Sequence, residues 1–390
     1  MYRNLYELVF DLTGLSVPPL RIVQSFGFFL ACAFMGAAWV LYSELRRKED
    51  LGHVPSTRER IWKDKRSSPV EWLAGSVIGF VVGYKLLALV IDFSTISLNP
   101  QDFMLSADGS VLGGVLGAAI SAGLRWWEER NYGEPKEVEL TIHAHEQVSN
   151  ITMVAAVMGI LGAKLFHNLE NLEDFAADPW GSFISFSGMS YYGGLICAAA
   201  AVIWYGRSKG ISAVHLSDAT APGLILAYGI GRIGCQVSGD GDWGLPNDAP
   251  MPAWLSFLPE WVWAYDYPNN VLHVNLLRDF HRMGLESVTG KAWPTPIYET
   301  IMSFMIFGFM WWKRKSWTVP GMAMSMYMLL NGIERILIEQ IRINNEYNIF
   351  GFGITQAEII ATLMIIFGSI GIFWACPKYG ERWAKWGSGV

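Results

Sequence analysis

The feature that most narrows the fold is a series of apolar stretches, each long enough to approach the thickness of a bilayer. They run near Gly27–Leu45, Trp72–Ile91, Val111–Trp127, Ile151–Phe166, Gly193–Tyr205, Ala213–Val237, Ile297–Trp312, Met322–Ile341 and Gln356–Trp374. At 1.5 Å rise, about 20 apolar residues cross a hydrocarbon core of roughly 30 Å. Only helices and closed barrels satisfy their backbone there, and these runs lack the two-residue alternation of a barrel. Composition agrees. Residues AVILMFWYC make up 52% of the 390 residues, with 40 glycines besides, and charged residues only 16%, against about a quarter in soluble proteins. The expected class is all-α: a polytopic transmembrane helical bundle of about nine spans with a small external subdomain.

Basic residues orient the bundle. Segment 46–69 carries Arg46, Arg47, Lys48, Arg58, Arg60, Lys63, Lys65 and Arg66. Arg207 and Lys209, then Lys313, Arg314 and Lys315, and finally Lys378, Arg382 and Lys385 mark further basic segments. The positive-inside rule places these in the cytoplasm, with the N-terminus outside and the C-terminus inside. Segment 125–147 shares that side by parity, although it is rich in glutamate. The N-terminus has no basic region followed by an apolar one, so no cleavable signal peptide is expected. The net charge of −6 is uninformative about partners, and nothing suggests nucleic-acid binding. Cys32, Cys197, Cys235 and Cys376 are widely spaced and suggest neither a zinc site nor a disulfide framework.

The chain divides into residues 1–45 (N-terminal segment and first helix), 46–146 (basic loop and a transmembrane hairpin) and 147–237 (transmembrane core). Residues 238–296 follow as an external subdomain rich in Pro and Trp, then 297–390 as C-terminal helices and tail. A duplication is visible. Gly83-Tyr-Lys85-Leu precedes Gly113-Gly-Val-Leu-Gly, and Gly162-Ala-Lys164-Leu precedes Gly193-Gly-Leu-Ile-Cys, at offsets of 79 and 80 residues. Glycine-rich helices share such spacings for packing reasons, but the near-constant offset favours a copied helical hairpin.

Four segments carry candidate chemistry. Gly229-Ile-Gly-Arg232-Ile-Gly-Cys235 places an arginine near the outer end of a span, with Asp240 and Asp242 close behind. An arginine at membrane depth costs several kcal/mol unless paired or hydrated, and its planar fork suits phosphate or carboxylate. A snorkelling arginine is the plainer alternative. Asn331, Arg335, Glu339 and Arg342 fall on one face of a continuous helix, where they would make either a structural ion-pair ladder or an anion site. Pro294-Thr-Pro296-Ile-Tyr298-Glu299 starts another helix, and capping alone would account for Glu299. Ser187-Gly-Met-Ser-Tyr-Tyr192-Gly193-Gly194 opens a further helix, whose glycines would expose backbone N–H groups to an anion or simply begin the helix.

In this order the four segments resemble the prolipoprotein diacylglyceryl transferase family: a glycine-pair helix start, a G-R-[IL]-G signature, P-x-x-x-Y-E, and R-x-x-x-E-x-x-R. Gly162-Ala-Lys164, Ser217-Asp218 and Pro222 add to the likeness, which covers residues 20–45 and 150–375. The resemblance implies seven family-like spans plus an inserted hairpin. It also implies a multi-pass enzyme of the bacterial inner membrane that moves the diacylglyceryl group of phosphatidylglycerol to the lipobox cysteine of a prolipoprotein signal peptide. The implied site comprises Arg232, Arg335, Glu339, Asp240, Asp242 and Tyr192 for catalysis. Arg232, Gly193, Gly194, Tyr298, Glu299, Asn331 and Arg342 would bind substrate, with no cofactor or metal. The chain departs from the family pattern at Tyr192, where histidine is usual. It departs again at Phe26 and Asn331 (tyrosines), at Cys235 (asparagine), and at the acid after the signature, which is Asp240 or Asp242. An inactive lipid- or precursor-binding relative and a transporter are the rival readings.

Overall fold

The computed structural model describes residues 1–185, 188–344, 346–349 and 352–374. Ser187, Cys376 and the basic residues Lys378, Arg382 and Lys385 fall outside them. Nine long helices are present among the described residues, each overlapping one expected span. They are α1 (Ser25–Asp50), α2 (Pro69–Ile91), α3 (Val111–Glu129), α4 (Val148–Glu170), α5 (Tyr191–Ser208), α6 (Ala213–Ser238), α7 (Thr295–Lys313), α8 (Met322–Glu339) and α9 (Gln356–Trp374). Four helical segments are long and apolar enough to cross a membrane by length and composition: α1, α2, Ala144–Glu170 and α9. Polar residues lower the hydropathy of others: α6 carries Asp218 and Arg232, and α8 carries Glu334, Arg335 and Glu339. The protein is a helical membrane protein.

The all-α expectation needs amending. Strand β1 (Thr57–Lys63) pairs antiparallel with β2 (Lys136–Ile142), and β3 (Glu346–Ile349) with β4 (Phe352–Thr355). The first ribbon takes up two of the glutamates of segment 125–147, Glu137 and Glu139. Arg60 stands opposite Glu139, and opposite charges on facing positions support an antiparallel pair.

The chain forms two compact units. One, Ser56–His143 with Val154–Ala201, contains the β1–β2 ribbon and two like hairpins. In the first hairpin, a Cβ on Gly83 would stand 2.2 Å from the Gly113 carbonyl oxygen, and one on Gly113 2.4 Å from that of Gly83. In the second, Gly162 and Gly193 have the same reciprocal relation at 2.6 and 2.8 Å. The connections repeat as well. Lys85 Nζ donates to the carbonyls of Phe103 and Ser106, each at 2.7 Å. Lys164 Nζ donates to the Ser182 carbonyl at 3.2 Å and to Ser185 Oγ at 3.0 Å, the same 18 and 21 residues ahead. The Ser110 N–H bonds to the Tyr84 carbonyl, and the Ser190 N–H to that of Ala163. Glycine pairs bring the helix backbones together, and a lysine closes each connection.

The other unit holds Met1–Pro55, Ala144–Met153 and Val202–Val390. Within it α6 packs against α1, α7 and α8, and α8 against α9. Gly239, in the left-handed region at φ 65°, ends α6 and returns its N–H to the Cys235 carbonyl. The chain then forms a small subdomain whose core is Trp243, Tyr267, Leu276, Phe280 and Ala292. It contains a short helix, Leu276–Arg282, where the Asn275 side chain accepts the Arg278 N–H. Bridges tie this subdomain to the chain just before α7 and just after α8. Gly244 pairs with Arg342, the Leu245 N–H donates to the Ile341 carbonyl, and the Gly244 N–H to that of Trp293. Segments following α6, preceding α7 and following α8 are thereby fastened together.

Candidate active site

Where those segments meet, three arginines converge on one buried carboxylate. Glu299, on the first turns of α7, has no accessible surface. Its Oε2 lies 3.1 Å from Arg232 Nε. Its Oε1 lies 3.4 Å from Arg335 Nη1 and 3.1 Å from Arg342 Nη1, and accepts the Tyr228 hydroxyl at 2.9 Å. Arg335 Nη2 also reaches Glu339 Oε2 at 2.7 Å, and Glu339 accepts the Asn344 amide. Asp242 bridges the remaining faces, with one oxygen on Arg232 and the other on Arg342. The Arg232 guanidinium lies 5.0 Å from the centre of the Tyr228 ring, a cation–π contact from the preceding helical turn.

Capping does not account for Glu299; it is the hub. The helical stripe expected through Arg342 is also corrected. Helix α8 ends at Glu339, and Arg342 reaches Glu299 by way of the turn at 340–341 and its bridge to Gly244. Asn331 has no hydrogen bond to the cluster among the described residues. Tyr298 turns instead to the Val262 carbonyl at 2.8 Å, fixing the subdomain to the start of α7.

The two aspartates separate in role. Burial opposes ionisation of Asp242, but the Arg232 and Arg342 guanidiniums outweigh it and hold the carboxyl below the usual carboxylate range. Asp240 pairs with no guanidinium among the described residues. Burial first, and then the neighbouring Asp242 charge, push it above that range. Asp242 thus takes the arginine-facing place that the sequence left open between the two. Cys235 Sγ, Asp240 and Asp242 each offer an atom within 4.8 Å of the others. A metal ion among them would face the Arg232 guanidinium, whose Nη1 lies 3.6 Å from Cys235 Sγ.

Tyr192, Gly193 and Gly194 belong to the other compact unit. There the glycine pair lets helices approach closely. A Cβ on Gly193 would stand 2.2 Å from Phe166 Cβ, and the Gly194 N–H is already bonded to the Ser190 carbonyl. The Tyr191 and Tyr192 rings meet edge to face at 5.5 Å.

A family model for prolipoprotein diacylglyceryl transferase matches residues 124–374. The chain belongs to the prolipoprotein diacylglyceryl transferase family. It is a transferase of lipoprotein biosynthesis. Three similar proteins, each named phosphatidylglycerol–prolipoprotein diacylglyceryl transferase, come from Clostridium tetani, Methylococcus capsulatus and Vibrio vulnificus. The first is 25% identical over 252 residues, covering 65% of this chain and 86% of the relative. The second is 29% identical over 232 residues, covering 57% and 76%. The third is 27% identical over 236 residues, covering 60% and 76%. The family match begins beyond α2 and most of α3, so the transferase carries its first glycine-paired hairpin largely outside the matched region.

Two members of the cluster escaped the sequence reading. Tyr228 lies one turn before Arg232, and that i, i+4 spacing was the available signal. Glu334 is buried at 2% exposure with neither carboxylate oxygen hydrogen-bonded. It directly precedes Arg335 but on a different helical face, and nothing local distinguished it.

Proposed function

We propose that this transferase moves the diacylglyceryl group of phosphatidylglycerol to the lipobox cysteine thiol of a prolipoprotein. A sulfur–carbon bond forms at the glyceryl carbon. The bond from that carbon to the phosphate oxygen breaks, and its electron pair leaves with glycerol phosphate. The observation that carries this reading is the convergence of Arg232, Arg335 and Arg342 on one site. Forked guanidiniums match phosphate oxygens and stabilise the charge that gathers on the leaving group.

The cluster is charge-balanced by its own carboxylates, so an arriving phosphate must take the place of one. Asp242 is suited to yield. Its side chain is 28% exposed, whereas that of Glu299 is 0% exposed. Asp242 sits on a loop and spans Arg232 and Arg342 as a phosphodiester would, while Glu299 holds the arginines together from below.

The nucleophile must lose a proton, and an unperturbed thiol has a pKa of about 8.5. Positive potential from the arginines lowers that value. Asp240, free of guanidinium pairing and with its pKa raised, is better suited to accept the proton than Asp242. Tyr192 would position lipid or peptide, since an unperturbed phenol of pKa about 10 is a poor base.

The same reading places all nine long helices across the bacterial inner membrane, with the N-terminus outside. Its support is the alternation of basic segments, together with the β1–β2 pairing, which joins segments 46–69 and 125–147. Purified protein supplied with phosphatidylglycerol and a lipobox peptide should form the thioether-linked diacylglyceryl peptide. Absence of product from a folded wild-type sample, under conditions where a relative is active, would overturn the assignment.

A further inference from the structure

The end of the helical core remote from Arg232 holds a second polar assembly. His215 and Arg232 share α6 and stand 17 residues apart, which at 1.5 Å per residue is about 25 Å, close to one hydrocarbon thickness. Around His215 the end of α1, the start of α6, the residues after α7 and the start of α8 line two small adjoining clefts. Four cations line them: Arg47, Lys48, Arg314 and Lys315.

Two carboxylates are present, and both are committed. Glu44 pairs with Arg47 at 2.6 Å and with Arg314 at 3.0 Å. Asp218 accepts the N–H groups of Gly321 and Met324 at 2.8 and 3.0 Å, with Lys48 Nζ 3.6 Å away. Arg47, Lys48 and Arg314, all largely buried, share two carboxylates, and the exposed Lys315 adds a fourth positive charge, so the clefts carry an excess of positive charge that a counter-ion would offset.

The histidines point to what would supply it. The His53 and His215 rings stack with centroids 5.4 Å apart, and both line the larger cleft. His215 is 8% exposed, and its Nδ1 is buried with no hydrogen-bond partner. An orphaned buried polar atom costs about 1–3 kcal/mol, and this one lies in the wall of a cationic cleft. In the tautomer protonated at Nδ1, it would donate to an oxyanion that also meets Lys48 and Lys315. Trp317 lines both clefts, an amphipathic ring suited to the boundary between headgroups and acyl chains.

We propose that this cleft binds the phosphate of a phosphate ester at the membrane face opposite the Arg232 cluster. The ester is carried either by an anionic lipid headgroup or by a soluble molecule. The site shares no residue with the proposed transfer chemistry.

Thermal unfolding of delipidated protein in detergent, titrated in three arms, tests it: phosphatidylglycerol, phosphatidylcholine and inorganic phosphate. The variants are His215→Gln and Lys315→Gln; Lys315 is exposed and outside every ion pair in the cluster, so its replacement leaves folding undisturbed. Loss of one charge-assisted hydrogen bond should raise the anion concentration needed for a given stabilisation about tenfold, while transfer at saturating substrate stays at the wild-type rate. Stabilisation by phosphatidylglycerol alone, reduced in both variants, identifies the ligand as a lipid headgroup. Stabilisation by inorganic phosphate as well, reduced in the same variants, identifies a soluble phosphate ester. Anion stabilisation that both variants retain and Arg232→Lys loses would confine anion binding to the first cluster and overturn the proposal. So would a wild-type protein that no anion stabilises.

Discussion

Asp242 and Arg342 lie one hundred residues apart in sequence, and their side chains form an ion pair whose carboxylate also holds Arg232. The pair exists because the subdomain after α6 is bridged to the chain after α8, through Gly244 and Arg342 themselves. A loop residue thus completes a cluster whose other members come from α6, α7, α8 and the turn after α8, a placement suited to an anion that substrate can displace.

Arg232→Ala and Arg335→Ala should each lower transfer by about 10²–10³-fold, the usual effect of removing one donor to developing negative charge. Arg232→Lys should recover little, because an ammonium does not reproduce the fork that spans Asp242 and Glu299. Transfer rates measured on variants that remain folded in detergent check this. Near-normal activity in both alanine variants would remove phosphate binding from the account.

Glu299→Ala should be the most destabilising single change in the cluster. It removes a carboxylate with no accessible surface from among three largely buried guanidiniums, and breaking a buried ion pair typically costs about 3–5 kcal/mol. Asp242→Ala removes a more exposed partner and should cost distinctly less. Thermal unfolding of the two variants side by side gives the order, and a reversal would show that the loop, not the hub, holds the cluster together.

Asp240→Asn should separate stability from activity. The folded protein raises the Asp240 pKa, so ionisation of this carboxyl weakens the fold. The penalty is fully present above the folded pKa and vanishes below the unfolded value of about 3.9. The variant should therefore melt higher than wild type at pH 8, with the difference closing as the pH approaches 4. If Asp240 takes the thiol proton, transfer should fall by about 10²–10⁴-fold in the same variant. Unchanged transfer would exclude Asp240 as the base while leaving the stability result intact.

Tyr192→Phe should cost no more than about tenfold in rate, the loss of one hydrogen bond worth about 0.5–1.5 kcal/mol. A fall of about a thousandfold with lipid binding preserved would make the tyrosine catalytic instead. Tyr192→His asks whether the residue usual in the family still works there, read as retained or increased transfer.

Cysteines introduced near Pro250 should be labelled by impermeant reagents from outside, and those near Arg58 or Arg314 should not. Paired cysteines at Arg60 and Glu139, opposite one another in the β1–β2 ribbon, should crosslink and be protected together. Outside labelling at Arg58 would invert the orientation.

Length and hydropathy were enough to locate the nine long helices, because an α-helix satisfies its backbone within its own segment. The glycine and lysine repeat was equally legible, since each copied hairpin closes through contacts between residues near in sequence. Arg232, Arg335 and Glu339 were visible for the same reason: charges on apolar helices stand out. Only the tertiary structure decided that Glu299 is a hub rather than a cap, that Asp242 and not Asp240 faces the arginines, and that Arg342 arrives from beyond the end of α8. It also decided that Gly193 and Gly194 pack helices. Those assignments rest on contacts between segments far apart in sequence, and neither local propensity nor motif spacing encodes the distance between them. The ribbon joining Arg60 to Glu139 belongs with them, because strand pairing across an intervening helical hairpin leaves only its charge complementarity in the sequence.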